Sequence, residues 1–369
     1  MRSVARIDLD ALVHNVGVVR ELAPGAELMA VVKADGYGHG AVPCARAAVA
    51  AGATWLGVAF PEEALELRAA GIGVPVLAWL FGPQDDLAPL VLADVDLGVY
   101  SEAELGRVVH AARTTGRVAR VHLKADTGLS RGGAPQHEWP DLCAAAAKAQ
   151  ADGSVEVVGV WSHLASSEQG PGHPSNSAQC EAFETALAVA AEHDLHPRLR
   201  HLANSGATLR DPTTHYDLVR VGAALYGLEP VPGLDVGLRP VMSLRSTVVL
   251  TKRVPPGSGV SYGHRYVTPG ETTLALVPLG YGDGVPRHGS DAGPVLIRDR
   301  RYAVCGVVAM DQFVVDVGEA DVRVGDEVVL FGTDGVLAKD WAEAIGTIDY
   351  EVVTRVGARV PRLHVGGPA

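Results

Sequence analysis

Between Leu28 and Gly222, short runs rich in Val, Leu and Ala alternate with longer alanine-rich stretches of helical character. The apolar runs fall at 28–33, 55–60, 75–80, 95–99, 118–125, 155–163, 198–204 and 217–222. Short apolar runs bounded by turn residues read as buried strands. The stretches between them carry helix punctuation. Pro61 stands in the first turn of Pro61-Glu-Glu-Ala-Leu-Glu-Leu-Arg68, and Gly71 follows its end. Ser101-Glu-Ala-Glu104 has the spacing of a capping box, and Ser177 to His193 is a long amphipathic stretch. Eight strands alternating with helices over about 200 residues predict an α/β fold, a closed parallel (β/α)8 barrel of the TIM type. An open doubly wound sheet is the alternative.

After Pro240 helical runs give way to β-branched segments: Ser246-Thr-Val-Val-Leu-Thr, Thr272-Thr-Leu-Ala-Leu-Val, Phe313-Val-Val-Asp-Val and Glu327-Val-Val-Leu-Phe. Turn clusters at Pro255-Pro-Gly-Ser-Gly and Arg298-Asp-Arg-Arg separate them. The pattern predicts a C-terminal, mostly antiparallel β domain with one short helix near Lys339–Ile345. A single core rarely organises more than roughly 250–300 residues. The 369 residues therefore divide into a barrel over 1–240 and a β domain over 241–369.

A 47% apolar and 20% charged composition is that of a globular chain. The net charge of −12 disfavours phosphate backbones, so no nucleic-acid partner is expected. No apolar run approaches the roughly 20 residues of a membrane helix, and the first residues lack a signal-peptide core. Cys44, Cys143, Cys180 and Cys305 are widely spaced and form no C-x-x-C pair. A reduced, cytoplasmic setting is expected. His193 and His196 have no third ligand nearby and read as a solvated helix end, so no metal site is expected. Arg359-Val-Pro-Arg362 reads as a seal on the β domain.

The chemistry concentrates where the strands end. Lys33 closes the first apolar run and opens Lys33-Ala-Asp-Gly-Tyr-Gly-His-Gly40. Burial lowers an amine's pKa and makes it a nucleophile able to condense with an aldehyde. The glycines and Tyr37 that follow leave room, N–H groups and a phenol for a phosphate. Lys124 and Asp126 end strand five, with Thr127-Gly-Leu-Ser-Arg131 beyond them. His163 ends strand six, Asn204 and Ser205 strand seven, and Arg220 and Gly222 strand eight. Each has a bland reading alone: a satisfied core histidine, a helix cap, an ion pair of Arg220 with Asp217. Together they fall on the face where barrel enzymes keep their active sites.

Val31-Val-Lys-Ala-Asp-Gly-Tyr-Gly-His-Gly40 resembles the lysine motif of alanine racemases, and the resemblance recurs along nearly the whole chain, nearest to actinobacterial members. It implies a small amino-acid substrate, pyridoxal 5'-phosphate bound by Lys33, and a phosphate held by Tyr37, Ser205, Gly222, Ala223 and Tyr350. Arg220, in Leu218-Val-Arg-Val-Gly222, matches the family arginine at the pyridine nitrogen, and His163 a histidine close to both. Most pyridoxal enzymes place a carboxylate there. Arginine only donates, so the ring nitrogen stays unprotonated and transamination is limited. Gly259-Val-Ser-Tyr-Gly-His264 resembles the motif of the second catalytic base, Tyr262, since racemisation needs proton transfer on both faces of the α-carbon. A phenol with a pKa of about 10 is a poor base unaided, and Arg131 matches the arginine that assists it. Tyr281, in Leu276-Val-Pro-Leu-Gly-Tyr-Gly-Asp-Gly284, matches an entrance tyrosine, and Met310, in Ala309-Met-Asp-Gln312, a backbone site for the substrate carboxylate. Gly346-Thr-Ile-Asp-Tyr350-Glu supplies another entrance tyrosine. Lys124 matches a position carbamylated in some members. The resemblance also implies a homodimer with sites shared between chains, and supply of D-alanine to peptidoglycan. Ala309, Val307 and Gly282 stand where many members have cysteine, arginine and alanine, and Ser166-Ser-Glu168 where many have Thr-Ala-Asp. None of these replaces a proton-transfer group. Rival expectations are a broad-specificity racemase, a barrel-type decarboxylase with a carboxylate in place of Arg220, and a non-catalytic cofactor carrier.

Overall fold

A computed structural model describes residues 2–367. Strand β1 (Ser3–Asp8) precedes the eight strands of the barrel: β2 (Glu27–Val31), β3 (Trp55–Val58), β4 (Val76–Ala78), β5 (Val95–Val99), β6 (Ala119–Lys124), β7 (Val155–Trp161), β8 (Leu199–His201) and β9 (Leu218–Val221). Every pairing from β9 through β2 to β8 is parallel. The seam between β8 and β9 is closed by Asp217 N–H donating to Arg200 O (3.1 Å) and Arg220 N–H to Ala203 O (3.1 Å). The expected barrel is thus present, and the open sheet is excluded. Met29, Trp55, Leu77, Val158, Leu199 and Leu218 plug its amino end.

The strands end earlier than the apolar runs. The first stops at Val31, two residues before Lys33, and the sixth at Trp161, two before His163. Of the surplus apolar residues, Val32, Ala59, Leu202 and Ala203 leave the ladder but stay buried, whereas Phe60 and Leu80 are exposed. Between barrel strands the helix punctuation acts as read. Ser101 Oγ accepts from Glu104 N–H (3.3 Å), and the Glu104 carboxylate reaches back to Tyr100 N–H (2.7 Å). Gly71 lies just past helix Pro61–Ala69 at φ 79°.

The C-terminal strands are β10 (Met242–Thr247), β11 (Leu250–Val254), β12 (Gly259–Val260), β13 (Tyr266–Val267) and β14 (Thr272–Val277), then β15 (Pro294–Ile297), β16 (Arg300–Cys305), β17 (Phe313–Gly318), β18 (Glu327–Phe331) and β19 (Arg362–Val365). All but β12 and β13, which pair separately, join one sheet in the order β11-β14-β17-β16-β15-β18-β10-β1-β19. It is antiparallel except where β1 meets β19. Two elements depart from expectation. Strand β1 opens the chain yet belongs to this sheet, because its partners lie more than 200 residues away and leave no local signal. Beside the expected helix at Ala338–Ile345 stands a second, Asp349–Thr354, which carries Tyr350. Six residues are too few for a helical period to show. Arg362 does seal the unit, donating to Gly38 O (3.1 Å), Gly357 O (2.6 Å) and Val360 O (2.9 Å), and so also ties the β domain to the loop after Lys33.

Candidate active site

The barrel mouth encloses a cavity of about 800 Å³. Lys33, Tyr37, Lys124, Arg131, His163, Ser205, Arg220, Gly222, Ala223 and Tyr350 all line it. Ten expected site residues from six stretches of the chain therefore meet in one place. Tyr262, Tyr281 and Met310 do not. They stand on the β domain 72%, 44% and 52% exposed. Tyr281 N–H donates to Ala309 O (3.0 Å) and Gly282 N–H to Met310 O (2.8 Å), which groups Tyr281 with Met310.

Lys33 leads into an unusual turn. Ala34, Asp35, Gly36 and Tyr37 lie at φ 53°, 53°, 59° and 54°. Left-handed backbone costs a non-glycine residue roughly 1–2 kcal/mol, so the turn must be held by its surroundings. Gly36 N–H donates to Val32 O (2.8 Å), Gly38 N–H to Ala34 O (2.9 Å) and Gly40 N–H to Asp35 O (2.9 Å). The Asp35 carboxylate accepts from Ala41 N–H (2.8 Å). The Glu63 carboxylate accepts from Ala34 N–H (2.6 Å), Ala59 N–H (2.8 Å) and Phe60 N–H (3.0 Å), pinning the turn to the neighbouring loop. Burial, then the charge of Arg131, lowers the Lys33 pKa against an opposing pull from Glu63. Its amine faces the Trp79 ring at 5.9 Å.

The turn swings Tyr37 across the cavity to Gly222, where an added Cβ would overlap the phenol oxygen. Tyr37 packs on Tyr226 (4.8 Å between ring centroids) and edge-on to Tyr350 (6.4 Å). Burial pushes the Tyr37 phenol up to about 12 and the Tyr100 and Tyr350 phenols higher. Ser205 Oγ accepts from Gly222 N–H (3.1 Å) and Ala224 N–H (3.4 Å). The cap of the helix it opens is Asn204, whose side-chain Oδ1 accepts from Ala207 N–H (3.2 Å). Phenol, hydroxyl and crowded backbone thus converge at one end of the cavity.

Arg220 is buried opposite. It donates to three backbone carbonyls, His201 O (2.8 Å), Ser162 O (2.7 Å) and Leu202 O (3.1 Å), and to His163 Nδ1 (3.3 Å) and His201 Nδ1 (3.2 Å). Asp217 is not its partner but pairs with Arg200 (2.8 Å). Burial pushes Arg220 down to about 9, which leaves it cationic at neutral pH. Burial and the surrounding cations hold His163 well below the usual histidine range, so it is neutral. Lys124 lies between the Tyr100 and Trp161 rings (4.8 and 4.7 Å), pushed down to about 8 by burial, then by Arg220 and Arg131. The cavity is lined by four cationic side chains, Lys33, Lys124, Arg131 and Arg220, against the two carboxylates of Glu63 and Glu168. Sequence reasoning did not single out Glu63, Trp79, Tyr100 or Trp161, which complete the walls.

A parallel barrel whose mouth combines a buried amine, a cluster of hydroxyl and backbone donors and an excess of cations has the chemistry to receive an anionic carbonyl compound. Comparison with known proteins agrees. Residues 7–230 match the family model "Alanine racemase, N-terminal domain" and residues 241–364 "Alanine racemase, C-terminal domain". The alanine racemase of Thermobifida fusca (strain YX) is 56% identical over 366 residues, 98% of each chain. The solved alanine racemase from D-cycloserine producing Streptomyces lavendulae superposes with a TM-score of 0.98 at 53% identity, over 100% of this chain and 98% of that one. The Bartonella henselae alanine racemase, solved with covalently bound pyridoxal phosphate, has a TM-score of 0.90 at 28% identity, over 99% of this chain and 100% of that one. The chain belongs to the alanine racemase family. Among the described residues no helix is long and apolar enough to cross a membrane.

Proposed function

We propose that this chain interconverts L- and D-alanine with pyridoxal 5'-phosphate on Lys33, and that two chains share each site. The observation that carries the reading is the meeting of Lys33, the Tyr37–Ser205–Gly222 cradle and Arg220 in one cation-rich cavity. The cavity fits the cofactor on its own chemistry: two surplus cations suit a phosphate, and the glycine at 222 leaves the Tyr37 hydroxyl room to reach it.

In this reading Tyr37, Ser205, Tyr350 and the backbone of Gly222 and Ala223 hold the phosphate. Arg220 would donate to the ring nitrogen and, having no lone pair to accept a proton, would keep it unprotonated. His163, a neutral imidazole in the cavity wall, would lie beside the ring. The bound cofactor supplies an aldehyde that captures the substrate amine and a conjugated ring that stabilises charge at the α-carbon. Lys33 Nζ removes or returns the α-proton on one face. The opposite face needs a second acid–base group. The phenols inside the cavity are poorly suited, because burial raises all three. Tyr262 is exposed in its own chain, so Tyr262 of the partner subunit supplies that group, with Arg131 beside it and Met310 and Tyr281 lining the entrance. A two-fold dimer with barrel facing β domain makes two such sites.

Lys124 suits carbamylation. An amine brought down to about 8 is partly neutral near physiological pH, and the product anion lies beside Arg131 and Arg220. In that step the amine nitrogen bonds to the carbon of carbon dioxide and releases a proton. The units are 1–240 for cofactor and 241–369 for the opposing face, with strand β1 crossing between them. We place the enzyme in the cytoplasm, supplying D-alanine for peptidoglycan. Arg220 held by carbonyls argues against a decarboxylase, which needs a carboxylate at the ring nitrogen.

The test is to assay both alanine enantiomers against a panel of amino acids while recording cofactor absorbance, then to reduce the holoenzyme with borohydride. Label on the Lys33 peptide and preference for alanine support the reading. Label on another lysine, or carbon dioxide release, overturns it.

A further inference from the structure

Behind Arg220 a chain of buried groups runs down the barrel axis. His201 Nε2 lies 2.9 Å from His122 Nδ1, and His122 Nε2 lies 3.1 Å from an Asp96 oxygen. His122 and His201 are 0% exposed and Asp96 1%. Asp96 is gripped from its other side by Arg120, at 2.9 and 3.2 Å. The residues come from β5, β6, β8 and β9 and none reaches the cavity surface except Arg220. Space for the contact is made by Gly159 on β7. A Cβ there would overlap His122 and lie 3.1 Å from His201 Nε2.

Both ends of the chain have fixed polarity. A guanidinium only donates and a carboxylate only accepts. Arg220 Nη1 faces His201 Nδ1, so that nitrogen carries a lone pair and the His201 proton sits on Nε2. That proton points at His122 Nδ1, which must also be a lone pair. The His122 proton is then on Nε2, facing Asp96. Every hydrogen bond runs toward Asp96, and a single arrangement satisfies all four groups.

We propose that Asp96 and His122 are positioning residues that act through His201 to hold Arg220 as a donor to the cofactor ring nitrogen. The inference rests on the Arg220 role above. A buried imidazole released from this order can place an N–H against the guanidinium, and two facing donors repel. Arg220 would then be pushed off the position its three carbonyls define. Groups supporting a site residue from behind typically change activity by about 10–100-fold when lost.

The experiment compares His122→Phe with His122→Gln. Phenylalanine fills the space but breaks the order. The glutamine amide donates to Asp96 through nitrogen and accepts from His201 through oxygen, as the imidazole does. Nitrogen-15 spectra of histidine-labelled, cofactor-free protein should show His122 and His201 protonated on Nε2 alone. In His122→Phe the His201 signals should move, and after reconstitution kcat should fall roughly 10-fold with the KM for alanine unchanged. His122→Gln should restore both. A wild-type His201 protonated on Nδ1, or glutamine and phenylalanine variants of equal turnover, overturns the proposal. Because the spectra are read without cofactor, they decide the proton order whether or not Arg220 meets a ring nitrogen. The absorbance of reconstituted Arg220→Lys, unchanged from wild type, would instead refute the Arg220 role itself.

Discussion

Lys124 offers a quantitative check on the electrostatics of the cavity. Its side chain is 4% exposed and its amine is pushed from 10.5 down to about 8, first by burial and then by Arg220 and Arg131. A depressed amine pKa means that the folded chain binds the proton less readily than the unfolded one. The penalty is therefore full below about pH 8 and disappears as pH rises toward 10.5. A difference of about 2.5 units is worth about 3 kcal/mol. Contact with the Tyr100 and Trp161 rings returns about 1–2 kcal/mol of that. Lys124→Met keeps the length of the stem and removes the charge. It should stabilise cofactor-free protein at pH 7 by about 1–2 kcal/mol. The assay is urea unfolding in buffer freed of carbon dioxide, comparing the first transition, since a two-unit chain need not unfold in one step. The advantage should shrink between pH 8 and 10.5. Adding bicarbonate should reverse it, because a carbamate on Lys124 converts a repelled cation into an anion beside two arginines. A variant less stable than wild type at pH 7 without carbon dioxide, or an advantage independent of pH, would refute the reasoning.

Gly222→Ala should collide with the Tyr37 hydroxyl rather than strain the backbone, whose φ is −114°. Overpacking of this kind costs about 1–3 kcal/mol, or about 5–150-fold in cofactor affinity, and unchanged affinity by absorbance titration would remove Tyr37 and Gly222 from the cradle. Lys33→Ala and Tyr262→Phe should each be nearly inactive alone. Mixed, they should recover up to half of wild-type activity per mixed dimer, because one of the two sites then holds both intact groups. If subunit exchange is demonstrated and no activity returns, Tyr262 does not serve its partner's lysine.

What was legible in the sequence had a local cause. A barrel strand is a short apolar run between turns, and the residues after it fall at the mouth. Lys33, Lys124, His163, Ser205 and Arg220 could therefore be placed together before any distance was known. Strand β1, paired with β10 and β19, was hidden because its partners are distant in sequence. The left-handed turn at 34–37 was hidden because three of its residues are not glycine, and what holds them there comes partly from Glu63 in the first turn of helix Pro61–Ala69. Asp96, His122 and His201 lie within strands rather than after them, so the rule that marks the mouth does not reach them. A signal did exist: Asp96 stands two residues before Gly98, His122 before Lys124 and Arg220 before Gly222, so alternation puts each one layer below the mouth. Polar groups at inward positions of a buried strand are costly unless they are bonded to one another, and here they are. The same reasoning applies to Tyr262 with the opposite outcome. A tyrosine 72% exposed beside a hairpin has no bonded set of its own among the described residues. In the proposed dimer its use lies on a surface that only a second molecule brings near, so the motif around Tyr262 can suggest a second base without showing the cavity it would serve.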